Sequence, residues 1–181
     1  ETRKQATVSE ISERAMVQSE RLFHCEEKMR KNATCSCCGG TLPVRKIPAP
    51  TVDIIIAHPG KGVVLVERRF PPLGWALPGG FVDYGETVEQ AAVREALEQT
   101  HLSVRLRALL GVYSDPARDA RRHTISTVFI ASTETPEEIL GGDDAAQASF
   151  FPLSALPPVL AFDHAAILED FKQRYATSLG V

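Results

Sequence analysis

Residues 79–102 read GGFVDYGETVEQAAVREALEQTHL, and the rest of the chain is best read outward from them. Thr87-Val88-Glu89-Gln90 fits a capping box: a threonine starts a helix and a glutamine three places on folds back onto it. The spacing predicts a helix from about Val88 to Gln99. At about 100° per residue, Val88, Ala91, Ala92, Glu95, Glu98 and Gln99 fall on one stripe. Its first half is small and apolar and its second half is acidic. Glu95 and Glu98 are i,i+3 neighbours, about 5–6 Å apart at Cβ. Two ionised carboxylates that close repel unless a cation sits between them. Magnesium is hard, takes oxygen ligands and bridges carboxylates to phosphates. The plain alternative is a solvated helix with an Arg94–Glu98 pair. Against it stands a long fixed spacing that runs from Gly80 through Glu86 to Arg94-Glu95-Ala96-Leu97-Glu98.

Upstream, TVDIIIA (51–57) and GVVLVER (62–68) are β-branched runs joined by HPGK, which predicts a β-hairpin. FPPLGWALPGG reads as a loop. Downstream, LSVRLRALLGVYS and TISTVFIAS read as strands on either side of the polar loop DPARDARRH. ASFFPLSALP begins as a short strand, and DHAAILEDFKQRYA closes the chain as a helix. The order β-β-loop-α-β-β-β-α, with few parallel crossovers, implies an α/β fold with a mixed sheet covered by helices. Residues 8–31 have helical spacing, and CSCCGGTLPVRKIPAPT then breaks regular structure. These features divide the chain into an N-terminal helix and cysteine-rich knuckle (1–42) and a main domain (43–181).

The chain has 181 residues, 44% of them hydrophobic and 24% charged, as in a globular protein. A net charge of −3 gives no basic surface for nucleic acid, so none is expected as a partner. No apolar run reaches a membrane span, so no membrane is expected either. The first residues lack the apolar core of a signal peptide, and the expected location is cytoplasmic. All four cysteines lie within Cys25–Cys38, a pattern of metal knuckles rather than of disulfides spread through a fold. Cys35 and Cys38 form one C-x2-C pair. A structural zinc site would use Cys25, Cys35 and Cys38 with His24 or Cys37; half of a degenerated ribbon is the other reading.

The 79–102 segment resembles the Nudix box, G-x5-E-x7-R-E-U-x-E-E-x-G-U with U aliphatic. Gly80, Glu86, Arg94, Glu95, Glu98 and Leu102 match it, and Ala96 stands at a U position. The resemblance runs from about residue 43 to 175. WALPGGFV, GVYSDPARDARRHTISTVF and LAFDHAAILEDF are similar to the ADP-ribose pyrophosphatase-like branch of Nudix hydrolases. It implies an α/β/α sandwich and magnesium- or manganese-dependent hydrolysis of a nucleoside diphosphate linked to another moiety. The small-molecule partner would be ADP-ribose or a related pyrophosphate. The backbone carbonyl of Gly79, with Glu95, Glu98 and Gln99, would surround the metal. Glu95, or a carboxylate on a later loop, would be the base. Glu86 and Arg94 would complete the catalytic motif by holding its shape. Dimerisation through the N-terminal helix is expected by analogy with relatives.

Two box positions depart from the pattern: Gln99 replaces the second glutamate of the pair, and His101 replaces the glycine. An amide lends an oxygen but no charge, so a metal site should be weakened. Gln147 stands where relatives carry a loop glutamate, with Asp143 and Asp144 nearby. A nucleotide-binding domain with little turnover is therefore the rival reading, and a module organised by the cysteine knuckle is a second. Because the net charge will not attract an anionic substrate, local arginines or a metal must, and arginine's planar fork suits phosphate. Arg69, Arg118 and Arg122 are the candidates, and Trp75 or Phe81 could stack on a base.

Overall fold

The computed structural model describes residues 33–34, 37, 39, 41–42, 46–142 and 145–176. The chain divides into two compact units, Glu1–Ile47 and Pro48–Val181. In the first unit β1 (Ala33–Thr34) pairs antiparallel with β2 (Thr41–Leu42). The predicted helix over 8–31 and Cys25, Cys35 and Cys38 lie outside the described residues. Cys37 is exposed.

In the second unit, alternation along one strand decides the layering. β3 (Ala49–His58) points Val52, Ile54 and Ile56 to one face of the sheet and Ile55 and Ala57 to the other. All five are buried, so a layer must cover each face. The first face is covered by α1 (Val88–Thr100), through Ala91, Ala92 and Ala96. These small side chains allow a close approach of helix to sheet. The second face packs against α2 (His164–Phe171), through Ile167, Leu168 and Phe171. The expected α/β/α sandwich with a mixed sheet is thus the observed one.

Between these helices run β4 (Gly62–Arg68), β5 (Trp75–Ala76), β6 (Gly79–Phe81), β7 (Arg105–Tyr113), β8 (Thr124–Ser132) and β9 (Ala145–Phe151). β3 and β8 are parallel over eight residue pairs; the other pairings are antiparallel. The predicted β3–β4 hairpin forms only at its tip, Ala57 opposite Val63 and His58 opposite Gly62. Beyond the tip the strands part. β6 takes the freed edge of β3, while β5 and β9 flank β4. The loop FPPLGWALPGG therefore contains two short strands that the sequence reading missed. The closing helix is shorter than predicted: after Phe171 it widens into a π-turn over Lys172–Ala176. No helix among the described residues is long and apolar enough to cross a membrane.

Candidate active site

Parting of β3 from β4 leaves room for β6 to lie beside the start of β3. Thr51 then faces Phe81, Val52 faces Gly80 and Asp53 faces Gly79. Gly79 lies so close to β3 that a Cβ there would overlap the Val52 carbonyl and the Asp53 carboxylate. A Cβ on Gly80 would overlap the Glu95 carboxylate of α1. Gly79 needs glycine because the overlap is with backbone, whereas at Gly80 a side chain would have to displace the Glu95 carboxylate. The pair lets a strand and a helix carboxylate meet across bare backbone.

α1 begins as predicted. Thr87 accepts from the Gln90 N–H at 3.2 Å and Gln90 Oε1 accepts from the Thr87 N–H at 2.9 Å, a complete capping box. It ends on His101 in the left-handed region at φ 58°, where glycine would be unstrained. The His101 N–H still closes the helix on Leu97 O at 2.9 Å.

Arg94 organises the acidic half of the helix. Nε and Nη2 donate to the two oxygens of Glu86 at 2.9 Å each, and Nη2 also donates to Phe81 O at 3.0 Å. Nη1 donates to Glu95 at 2.8 Å and to Glu98 at 3.0 Å. All five guanidinium N–H groups are therefore satisfied. The hydrogen bonds from Arg94 push the Glu86 carboxyl below its ordinary range. Contact with Glu86 in turn holds the guanidinium further toward its charged form. The arginine ties the strand entry, the turn and the helix into one body.

Gln99 completes the turn from within. Its Oε1 accepts from the Gly79 N–H at 3.1 Å. Its Nε2 donates to Gly79 O at 2.9 Å and to Glu95 Oε2 at 3.1 Å. Glu95 is 8% exposed and Gln99 5%. In this arrangement the Gln99 oxygen is turned to a backbone N–H.

A cleft of about 360 Å³ opens here, and Gly79, Gly80, Glu95 and Gln99 are among the residues that line it. Arg68, Arg118, Arg121 and Phe162 line it as well. The Arg68 and Arg121 guanidiniums lie over the Phe162 ring, 4.9 and 5.3 Å from its centre. Acid and base thus line one opening, and Arg121 is itself paired with Asp119, Nε and Nη2 donating to its two oxygens at 3.0 and 2.8 Å. Arg69 is exposed just past the end of β4, and Arg68 rather than Arg69 lines the cleft. Arg122 sits over the Phe81 ring at 5.3 Å. Gln147 is exposed on β9 and donates to Ser149 at 3.2 Å, away from the cleft lining. Asp143 and Asp144 lie outside the described residues. Trp75 packs edge-on against Phe151, as a core residue does.

Of the three candidate arginines, Arg118 is the one buried in the structure. Arg118 is 9% exposed and donates to both oxygens of Asp163, to Asp53 and to Thr124, at 2.8–3.1 Å. Its charge is matched inside the protein, because a buried guanidinium needs a carboxylate partner. Asp53 also accepts from Ser126, at 2.5 Å, and faces His164 Nε2 at 3.4 Å. The Leu77 N–H donates to His164 Nδ1 at 2.8 Å, which leaves the ring proton on Nε2 toward Asp53. Burial works to raise the Asp53 pKa, but His164, Arg118 and Ser126 outweigh it and hold the carboxyl down at about 2. This network was missed from sequence. One signal for it exists: Asp53 interrupts an otherwise β-branched run, and a charge in a buried strand must be paired.

The donor chemistry bears on a metal. Gly79 O and the Glu95 and Glu98 carboxylates are hard oxygens gathered around one turn, and they fit a divalent ion. Among the described residues no cluster of three or more His, Cys, Asp or Glu side chains is arranged to hold one unaided. A bound ion would therefore also draw on the backbone carbonyl, on substrate oxygens or on water.

Comparisons with known proteins agree with this geometry. The NUDIX domain family matches residues 47–171. The ADP-ribose pyrophosphatase of Methanocaldococcus jannaschii is 50% identical over 126 residues, 68% of this chain and 73% of the relative. Among solved structures, a Francisella tularensis bifunctional NMN adenylyltransferase/ADP ribose pyrophosphatase, complexed with AMP and a manganese ion, superposes with a TM-score of 0.62 at 28% identity. The match covers 71% of this chain but only 42% of that one. The NUDIX domain of Shewanella oneidensis NrtR, complexed with ADP ribose, superposes with a TM-score of 0.58 at 27% identity, covering 72% and 90%.

Proposed function

The chain belongs to the NUDIX family, and from that premise we propose that it is a divalent-cation-dependent pyrophosphohydrolase whose substrate is ADP-ribose or a closely related nucleoside diphosphate derivative. The observation that carries this reading is the cleft itself: the glycine turn, the Glu95 carboxylate of α1 and the Arg68 and Arg121 side chains line one opening. A diphosphate bound there would meet both cations and a metal-binding acid.

Gly79 O, Glu95 and Glu98 would hold the ion. Magnesium or manganese bound there neutralises charge on the diphosphate and makes a bound water more acidic. Water oxygen bonds to one phosphorus, and the bond from that phosphorus to the bridging oxygen breaks. From ADP-ribose the products are AMP and ribose 5-phosphate. Of the two helix carboxylates only Glu95 lines the cleft, which supports Glu95 as the group that takes the proton of the attacking water. Arg94 and Glu86 do not react in this scheme; they keep the turn and helix in register. Arg68 and Arg121, steadied on Phe162, bind the substrate anion. Arg118 also lines the cleft, but acts as a structural cation held by Asp53 and Asp163.

A second reading, a nucleotide-binding domain with little turnover, is favoured by the Gln99 bonds to Gly79 and Glu95. One experiment separates the two. The purified chain is incubated with ADP-ribose, other ADP-sugars and dinucleotides, with magnesium or manganese, and product is followed by chromatography. Turnover of ADP-ribose that EDTA abolishes supports the hydrolase. Saturable binding without product in any mixture supports the second reading and overturns the first.

A further inference from the structure

Gln99 is buried, and all of its polar atoms are used on one turn. Its orientation is fixed by chemistry rather than chosen. Gly79 N–H needs an acceptor and Gly79 O needs a donor; a flipped amide would set nitrogen against N–H and oxygen against oxygen. The two Nε2 hydrogens therefore point at Gly79 O, 2.9 Å away, and at Glu95 Oε2, 3.1 Å away. Those two oxygens are among the donors that fit a metal. A partly positive NH2 group sits where both could otherwise share a cation.

We propose that the Gln99 amide is an internal substitute for one divalent cation: it holds the Gly79 turn and Glu95 together without metal and keeps an ion out of the space between them. This rests on the reading of Gly79, Glu95 and Glu98 as the ion-binding set, but not on turnover. A glutamate at 99 could still accept from the Gly79 N–H. Its second oxygen would then face Gly79 O and the Glu95 carboxylate, three acceptors with no donor. Such a cluster needs a cation or a proton to exist. Gln99 removes that need, so the turn is set before any ligand arrives. Gln99 is thus a positioning residue.

The test compares the wild-type chain with Gln99→Glu and Gln99→Met, free of nucleotide, by thermal unfolding in EDTA and in manganese and by calorimetric titration with manganese. In EDTA both variants should melt lower than wild type, by about 4 °C or more, since each loses buried hydrogen bonds. Manganese should restore Gln99→Glu and leave Gln99→Met unrestored. Gln99→Glu should also take up one more manganese ion per chain than wild type. The idea is overturned by any of three results: Gln99→Glu as stable as wild type in EDTA, equal manganese uptake by the two, or no rescue of Gln99→Glu by manganese. Equal rescue of Gln99→Met would also overturn it, because a thioether offers no oxygen. Failure of the hydrolase reading looks different: these shifts persist while no variant releases product from ADP-ribose.

Discussion

Arg94 and Glu86 meet through two parallel hydrogen bonds, Nε to Oε1 and Nη2 to Oε2, each 2.9 Å. Eight residues separate them in sequence, and the pair closes the loop that leads into α1. The forked geometry is specific to arginine. Arg94→Lys should keep the charge and lose most of the five bonds, destabilising the chain by about 1–3 kcal/mol. Because Glu95 and Glu98 are held by the same group, ADP-ribose turnover should fall on the order of 10²-fold through misplacement. Urea unfolding and steady-state kinetics on the one variant check both.

Gly80 makes a second prediction, about space rather than charge. A Cβ at this position overlaps the Glu95 carboxylate. Gly80→Ala should push that carboxylate aside, weakening manganese binding and turnover together. The helix should survive, since its Thr87 cap lies elsewhere and Arg94 keeps its bonds to Glu86 when its Glu95 bond is disturbed. Unchanged manganese titration in a folded Gly80→Ala protein would contradict the close approach of turn and helix.

Glu95 and Glu98 differ in burial and should differ in consequence. Glu95 lines the cleft, whereas the Glu98 side chain is 45% exposed. Glu95→Gln should lower kcat by about 10²–10⁴-fold, the usual range for losing a proton-transfer group. Glu98→Gln should act mainly on metal affinity, so that raised manganese restores much of its rate. Kinetics across a manganese series distinguish the two, and equal rescue of both variants would remove the distinction drawn here.

Asp53 predicts an acid limb in stability. Its folded pKa of about 2 lies below the ordinary 3.8, so the fold favours the ionised form. The stabilisation is fully present above the ordinary value and is lost as pH falls through the folded one, a change on the order of 2 kcal/mol. Asp53→Asn should flatten stability between about pH 4 and pH 2. It should also lower stability at neutral pH by about 3 kcal/mol, because buried Arg118 loses one of its two carboxylates. Denaturant midpoints measured over that pH range provide the check.

His101 holds a left-handed conformation, φ 58° and ψ 8°, at the end of α1. A side chain there costs about 1 kcal/mol relative to glycine. His101→Gly should therefore raise stability by about that amount, less what is lost with the weak His101 Nδ1 contact to Leu140 O. A fall in stability would mean that this contact matters more than the backbone strain.

Much of the fold was legible because it follows from local rules. The Thr87 cap, the extent of α1 and the αL end at His101 all depend on neighbours within a few residues. The buried runs of β3, β4 and β8 announce themselves by composition, and the unbroken apolar run inside TVDIIIA is what a strand covered on both faces shows. The fixed spacing from Gly80 to Glu98 likewise placed the acidic end of the cleft. Chain-distant pairings were not legible. β6 joins β3 only because β3 and β4 part after two residue pairs, and no local pattern in WALPGG dictates that.

The arginines make the same point at the level of the site. Sequence alone established that an acidic protein with a phosphate-binding motif needs local cations, and which arginines were available. It could not rank them, because exposure is set by what the fold brings alongside. Arg118 is matched by Asp53, 65 residues away, and Asp163, 45 residues away. Arg68 and Arg121 line the cleft over one aromatic ring, Arg121 while paired with Asp119 two residues away. Gln99 could be recognised as a departure from its neighbours' pattern. Only the tertiary structure decided what its amide does there, since hydrogen bonds to Gly79 exist only once the turn has been folded against the helix.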